Sequence, residues 1–308
     1  IASTILMTHP RRGLHRQEVL ESARWLLDHI RMRGGETTPF EDLEQVVDDA
    51  LEFLQKFLKK PKNAIGPIVR IRESRRIEMS YYRNQVMHLF LHEAVIAIAF
   101  QTVENDNPFY PGVTVEQLFP HVEQLSQLLK YEFIYNPAHQ LRENFETTLA
   151  TMIHQETFYQ EGRFLYFTPQ GKRLCTFLRA LFRPFLESYW AAAIALLAKP
   201  QSQTSAIEEK KLKQHMQQIA ETLYHEGYLR ASDSVSMENL SNALKLFKDI
   251  SFLADTEAPK HLNKANKRQR WLKYQNAQQH QRFLSQIGLY TSSGTEAQNV
   301  LQRFLQQL

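Results

Sequence analysis

Apolar residues recur at helical spacing along most of the chain. Between His15 and Met32, Val19, Leu20, Ala23, Leu26, Leu27 and Ile30 fall on one face of a 3.6-residue period, and Gly34-Gly35 ends the pattern. Thr38-Pro39 opens a second pattern, with Val46, Val47, Ala50, Leu51, Leu54 and Leu58 inward and Pro61 as its stop. The period then changes: residues 65–71 and 76–80 read as short strands joined around Glu73-Ser74. Residues 80–103, SYYRNQVMHLFLHEAVIAIAFQTV, form the most apolar stretch. Asn84, Gln85, His88 and His92 lie there on one narrow stripe, and nothing polar occurs from Ala94 to Phe100. A helix that is apolar nearly all round is buried on most sides. His88, His92 and Glu93 interrupt the run of roughly 20 apolar residues that a membrane span requires. The stretch therefore predicts a continuous central core helix.

Beyond it, Thr114 is an N-cap with Gln117 three residues on, opening a helix to about Phe133. Asn136-Pro137 opens another, to about Thr157, followed by Glu161-Gly162 and a strand over 163–168. Pro169 starts a long helix to Ala198, and 199–205 is a polar linker. Further helices are predicted over 206–225, 236–253 and 268–287, with a loose polar segment at 254–267 and a short amphipathic tail after 291–295. A helix followed by short strands and a new helix recurs at 51–90, 149–178 and 223–247, with Glu-Gly in the last two turns. The predicted fold is mainly α: many helices around a buried central helix, with hairpins of winged-helix-like character. Residues 1–198 form a core subdomain and 206–308 a C-terminal subdomain packed on it.

Net charge is modest, 37 bases against 33 acids, but unevenly placed. Residues 36–52 hold seven acids and no base, residues 55–83 nine bases and two acids, and residues 260–273 six bases and no acid. Such patches suit phosphate, anionic lipid or an acidic protein face. They equally suit solvated faces, or an acidic helix paired with the basic segment. The single cysteine, Cys175, excludes a disulfide framework within the chain and a Cys-based zinc site. The chain opens on Ile rather than Met and shows no signal peptide, so it reads as a cut inside a longer polypeptide.

Three segments carry a resemblance. Tyr81-Tyr82-Arg83-Asn84 followed by His88 and an apolar run resembles a helix of the C-terminal region of glycerol-3-phosphate acyltransferases. FLRALFRPFLESYWAAAIALL, from Phe177 to Leu197, resembles that family's downstream helix, and NALKLFKDI, from Asn242 to Ile250, its late segment. The order is the family's, and the animal mitochondrial branch fits best. The resemblance implies an enzyme that moves an acyl group from acyl-CoA to the sn-1 hydroxyl of glycerol 3-phosphate, giving lysophosphatidate for phospholipid and triacylglycerol synthesis. It implies an N-terminal acyltransferase domain as partner, no cofactor, and a place on the mitochondrial outer membrane facing the cytosol. The closely related dihydroxyacetone-phosphate acyltransferase is the alternative.

The family's His-x-x-x-x-Asp motif, in which a carboxylate-oriented histidine deprotonates the acceptor hydroxyl, does not occur at any of the twelve histidines. His88 has Glu93 five residues on, but on a helix the two side chains diverge by roughly 140°. No catalytic residue is assigned, and this fragment alone is expected to be inactive. His88 and His92, one turn apart, have no third ligand at helical spacing and read as a core or interface pair, not a metal site. Tyr82, Arg83, Asn84 and His88 are candidate substrate or interface residues. Arg70, Arg72, Arg75, Arg76, Lys264, Lys267, Arg268 and Arg270 are candidate anion or membrane contacts. A nucleic-acid-binding winged-helix module would need a basic recognition helix, and the central helix is apolar instead. A pure interaction scaffold is the remaining reading.

Overall fold

The computed structural model describes residues 2–7, 13–32, 34–59, 68–106, 112–133, 140–197, 206–258, 269–275 and 277–291. The fold is mainly α, and one connectivity occurs three times. In the first unit, helix α1 (Ala2–Met7) leads to strand β1 (Leu14–His15), helices α2 (Arg16–Met32) and α3 (Leu43–Phe53), and strands β2 (Leu58–Lys59) and β3 (Ile68–Ile71). The sheet order is β1-β3-β2, all antiparallel. Helices α4 (Arg76–Met87) and α5 (Leu91–Asp106) enter the second unit. There a single bridge at Val113 stands for the first strand, followed by α6 (Val115–Leu128), α7 (Leu141–His154), β4 (Phe158–Glu161) and β5 (Phe164–Phe167). Val113 pairs with Leu165 of β5, and β5 pairs with β4. The third unit comprises α8 (Pro169–Leu197), β6 (Ile207–Glu208), α9 (Glu209–His225), α10 (Met237–Asp249), β7 (Leu253–Thr256) and β8 (Trp271–Tyr274), in sheet order β6-β8-β7. Helix α11 (Ala277–Thr291) follows. Helix, strand, two helices and a hairpin, with the first strand on the third, is winged-helix connectivity. The helix–hairpin–helix recurrence in the sequence matches hairpins of the first two units, whereas the third unit has its hairpin after α10 and not within 223–247.

The helix ends repeat as well. In the first and third units the second helix ends on a glycine in the left-handed region, Gly34 (φ +74°) after α2 and Gly227 (φ +84°) after α9. The next amide reaches back in each case, Gly35 to the Ile30 carbonyl and Tyr228 to the Leu223 carbonyl, both at 2.9 Å. This closes the last helical turn. The third helices of the second and third units end the same way on non-glycine residues, Glu156 (φ +57°) and Ser251 (φ +60°). Thr157 and Phe252 then donate to the Met152 and Phe247 carbonyls at 2.8 Å. The expected capping box at Thr114 and Gln117 is present.

Helices α5 and α8 form the centre. From Leu91 to Val103 α5 is buried except at His92 and Gln101, and α8 is buried throughout from Pro184 to Leu196. The two pack on each other, with α6, α7 and α11 also against α5 and α9, α10 and α11 also against α8. One hydrophobic core, from Ala2 to Tyr290, runs through all three units. Phe100 of α5 stacks on Phe158 at 4.8 Å and meets Phe167 at 4.3 Å between centroids, which fixes the second hairpin against the core.

Several sequence expectations are corrected. Residues 76–80 are helical, not a strand. The inward positions of α4 are Arg76, Met79, Arg83 and Met87, a helical period hidden because two of them are arginines. The predicted continuous helix over 80–103 is broken by a 3₁₀ turn at His88–Phe90. Helix α3 starts at Leu43 because the Asp42 carboxylate accepts the Glu44 amide at 2.8 Å, not at Thr38-Pro39. The third hairpin lies at β7 and β8, with a 3₁₀ turn at Ser232–Val235 where it was expected. Residues 271–274, expected in the last helix, are instead the central strand of that sheet. Among the described residues the acidic helix α3 pairs with Arg16 of α2, through Asp48 at 2.6 Å and Glu44 at 3.3 Å. The expected helix start at Asn136-Pro137 lies outside the described residues.

Candidate functional site

The three segments that carry the family resemblance meet through polar groups in the core. Arg83, on the inward side of α4, pairs with buried Asp233 in the 3₁₀ turn of the third unit and stacks 5.8 Å from the Phe185 ring of α8. Its Nε and Nη2 also donate to Asn84 Oδ1, at 3.1 and 2.8 Å. Next to it on α8, Glu187 accepts from the Arg230 amide at 3.1 Å, the Ala231 amide at 3.1 Å and Ser234 Oγ at 2.7 Å. Ser188 Oγ donates to the Ser234 carbonyl at 2.6 Å and accepts from Asn239 Nδ2 at 3.2 Å. One turn away, Tyr189 Oη donates to Glu132 Oε1 at 2.9 Å, and Asn242 Nδ2 donates to Glu132 Oε2 at 3.2 Å. So α4, α8 and α10 are tied by hydrogen-bonded side chains where each would otherwise present an unpaired buried group. Truncating one partner of a buried ion pair such as Arg83–Asp233 costs ~3–5 kcal/mol, because the other charge stays behind.

The chemistry of this network is structural. Burial pushes the Glu187 carboxyl above the usual carboxylate range, against the donors that favour its charged form. Glu132 is pushed up to about 7, chiefly by burial, with Tyr189 and Asn242 opposing. His29 Nε2 contacts Glu93 Oε2 at 2.9 Å in a separate buried pair between α2 and α5. Cys175 is buried and its thiol is pushed up to about 12 by burial, so it is no nucleophile. Among the described residues, no group of three His, Cys, Asp or Glu side chains is placed to hold a metal ion.

The outward side of the first unit is different. Ile77, Tyr81, Asn84 and His88 lie at successive turns of α4 and its 3₁₀ extension, and all four are exposed. Six of the eight large apolar side chains exposed among the described residues gather here: Met32, Val46, Phe53, Ile77, Tyr81 and Leu89. Phe53 and Tyr81 each stand edge-on to half-buried Tyr82, at 6.1 and 5.7 Å. Beside them a groove of about 440 Å³ runs between α2, α3 and α4, lined by Leu27, Ile30, Leu43, Val47 and Val86. Clustered apolar exposure of this kind marks a binding surface.

Of the sequence candidates, Tyr82, Asn84 and His88 sit on this outward face and Arg83 behind it. Asn84, Gln85 and His88 of the polar stripe are exposed on the surface of this chain, and His92 is half-buried. Arg76 is buried, with Nη2 donating to the Met7 carbonyl at 3.3 Å, and so is Arg83; neither reaches a surface anion. Arg70, Arg72 and Arg75 are exposed around β3; Arg72 Nε donates to the Leu58 carbonyl at 2.7 Å, and Arg75 pairs with Glu78. Arg270 is exposed beside β8, while Lys264, Lys267 and Arg268 lie outside the described residues. Asp233, Glu187, Ser188, Ser234, Glu132 and Asn242 were not singled out from sequence. Glu187 and Ser188 gave the one available signal, two polar residues inside a long apolar run.

Two helical runs, 73–106 and 169–197, are long and apolar enough to cross a membrane by length and composition. Their most apolar windows are 72% and 83% buried in the fold, so both serve here as core helices.

The network gives a pH dependence of known sign. Glu132 has a folded pKa of about 7 against an ordinary 4.5, so the folded chain binds its proton more tightly. Its contribution to stability is greatest below about pH 4.5, declines as pH rises through the window, and is fully lost above about pH 7. The decline amounts to roughly 3 kcal/mol at most. Urea unfolding of Glu132→Gln across pH 4.5–7.5 should show a flatter profile than the wild type. Parallel profiles would remove Glu132 as the titrating group.

The family model described as the C-terminal region of glycerol-3-phosphate acyltransferase matches residues 1–256. Dihydroxyacetone phosphate acyltransferase of Oryctolagus cuniculus is 27% identical over 168 residues, which is 54% of this chain and 23% of that protein. The Mus musculus protein of the same name is 28% identical over the same shares. The chain thus matches about a quarter of the length of these relatives. It belongs to the family of glycerol-3-phosphate acyltransferase C-terminal regions, within the acyltransferases of glycerolipid synthesis.

Proposed function

We propose that this chain is the helical C-terminal region of a glycerol-3-phosphate 1-O-acyltransferase, bracing an N-terminal acyltransferase domain that carries the catalysis. The observation that carries the reading is the apolar face of α3 and α4 on a chain of this family. The matched segment is 23% of each relative, so those relatives hold a much longer chain outside it. Acyl-CoA and glycerol 3-phosphate are bound through the catalytic domain, and this chain supplies no general base. The names of the relatives favour one second reading, in which the acceptor is dihydroxyacetone phosphate. Nucleic acid is not a partner in this reading. The helix equivalent to a recognition helix in the first unit, α3, exposes Glu44, Asp48, Asp49 and Glu52, which repel phosphate.

Phe53, Ile77 and Tyr81 are exposed, so serine at all three should change the stability of this chain by about 0.5 kcal/mol or less per site. In the full-length enzyme the same triple change should lower acyl transfer at least about tenfold, ~1.4 kcal/mol of lost docking. Unchanged activity, assayed with each acceptor, would show that this face is not the docking surface.

Membrane attachment in this reading is peripheral, on the mitochondrial outer membrane, through the basic segment 260–273. Flotation with liposomes containing anionic lipid should weaken as salt is added. Binding to neutral liposomes that ignores salt would contradict this attachment.

A further inference from the structure

A second feature of α8 is independent of the docking face. Arg179, Arg183 and Glu187 occupy successive turns of one side of the helix. The backbone of Arg230 sits over the last of these, its amide donating to both Glu187 oxygens at 3.1 Å. The positive charges of Arg179, Arg183 and Arg230 act on one another across this stretch of α8. Arg179 and Arg183 are both half-buried, while Arg230 is exposed. Arg179 Nη1 donates to a neutral group, Gln101 Oε1, at 2.7 Å. Arg183 Nε is buried and has no hydrogen-bond partner among the described residues. Glu187, one turn beyond Arg183 and acting on it, already accepts from two amides and a hydroxyl.

We propose that Arg179, Arg183 and Arg230 form a binding site for a phosphate group, either of a soluble phosphate ester or of an anionic lipid headgroup. Planar guanidinium forks match phosphate oxygens in pairs, and arginine tolerates partial burial better than lysine does. Burial, and then the neighbouring arginines, depress the Arg179 guanidinium. Arg183 is likewise lowered by burial first and by Arg230, with Glu187 opposing. A phosphate group gives the buried Arg183 Nε an acceptor.

The test uses the 308-residue chain in phosphate-free buffer, with inorganic phosphate added during thermal unfolding and calorimetric titration. A parallel arm uses phosphatidylcholine vesicles with and without phosphatidate. Phosphate should stabilise the wild type saturably, and R183Q and R230Q should each weaken its affinity at least about tenfold, while R173Q, exposed on the same helix, retains it. If phosphate has no effect but phosphatidate vesicles capture the wild type and not R183Q, the site stands and its ligand is a headgroup. The proposal is overturned if wild type and variants respond alike in both arms. It is also overturned if both variants lose the same stability with and without phosphate, since the arginines then serve only the fold.

Discussion

Burying α5 and α8 on all sides is the constraint that shapes this molecule. Neither helix has a polar face wide enough to meet water, so each must be wrapped. Each is also the first helix of a repeated unit. The first helix of a winged-helix unit normally packs on its own two partners. Here α5 and α8 pack on their own partners and on each other, and α11 closes the remaining side of both. The units therefore share one core, in which each fully buried large apolar side chain contributes ~1.5–3 kcal/mol.

Such burial makes polar groups on the same helices consequential. Arg83, Glu187, Ser188 and Tyr189 face the inside, and each is satisfied by a residue from another element: Asp233, Ser234, Asn239 or Glu132. These partners come from turns and helix ends, whose positions the core alone would set loosely. The family-like segments thus coincide with the polar joints of the core.

Much of this was legible in the sequence because periodicity reports burial directly. The inner faces of α2 and α3, the Thr114 cap, the Glu161-Gly162 hairpin and the long helix from Pro169 all follow from local pattern. What was hidden depended on distant partners. Arg76 and Arg83 broke the apolar period of α4, and only Asp233, 150 residues beyond Arg83, explains an arginine inside. Trp271–Tyr274 became a strand because β6 and β7 flank it, which no local window reveals. Asn84 and His88 looked like a buried stripe because the segment is so apolar. The 3₁₀ turn at His88–Phe90 separates an amphipathic half from a buried one.

In the proposed function the α3–α4 face is covered by the acyltransferase domain of the same polypeptide. Hydrogen–deuterium exchange compares this chain alone with the full-length protein most directly. The account predicts slower exchange in the full-length protein over 43–53 and 76–90, with α9 and α10 unchanged. Equal exchange over 43–53 and 76–90 in the two proteins would contradict it.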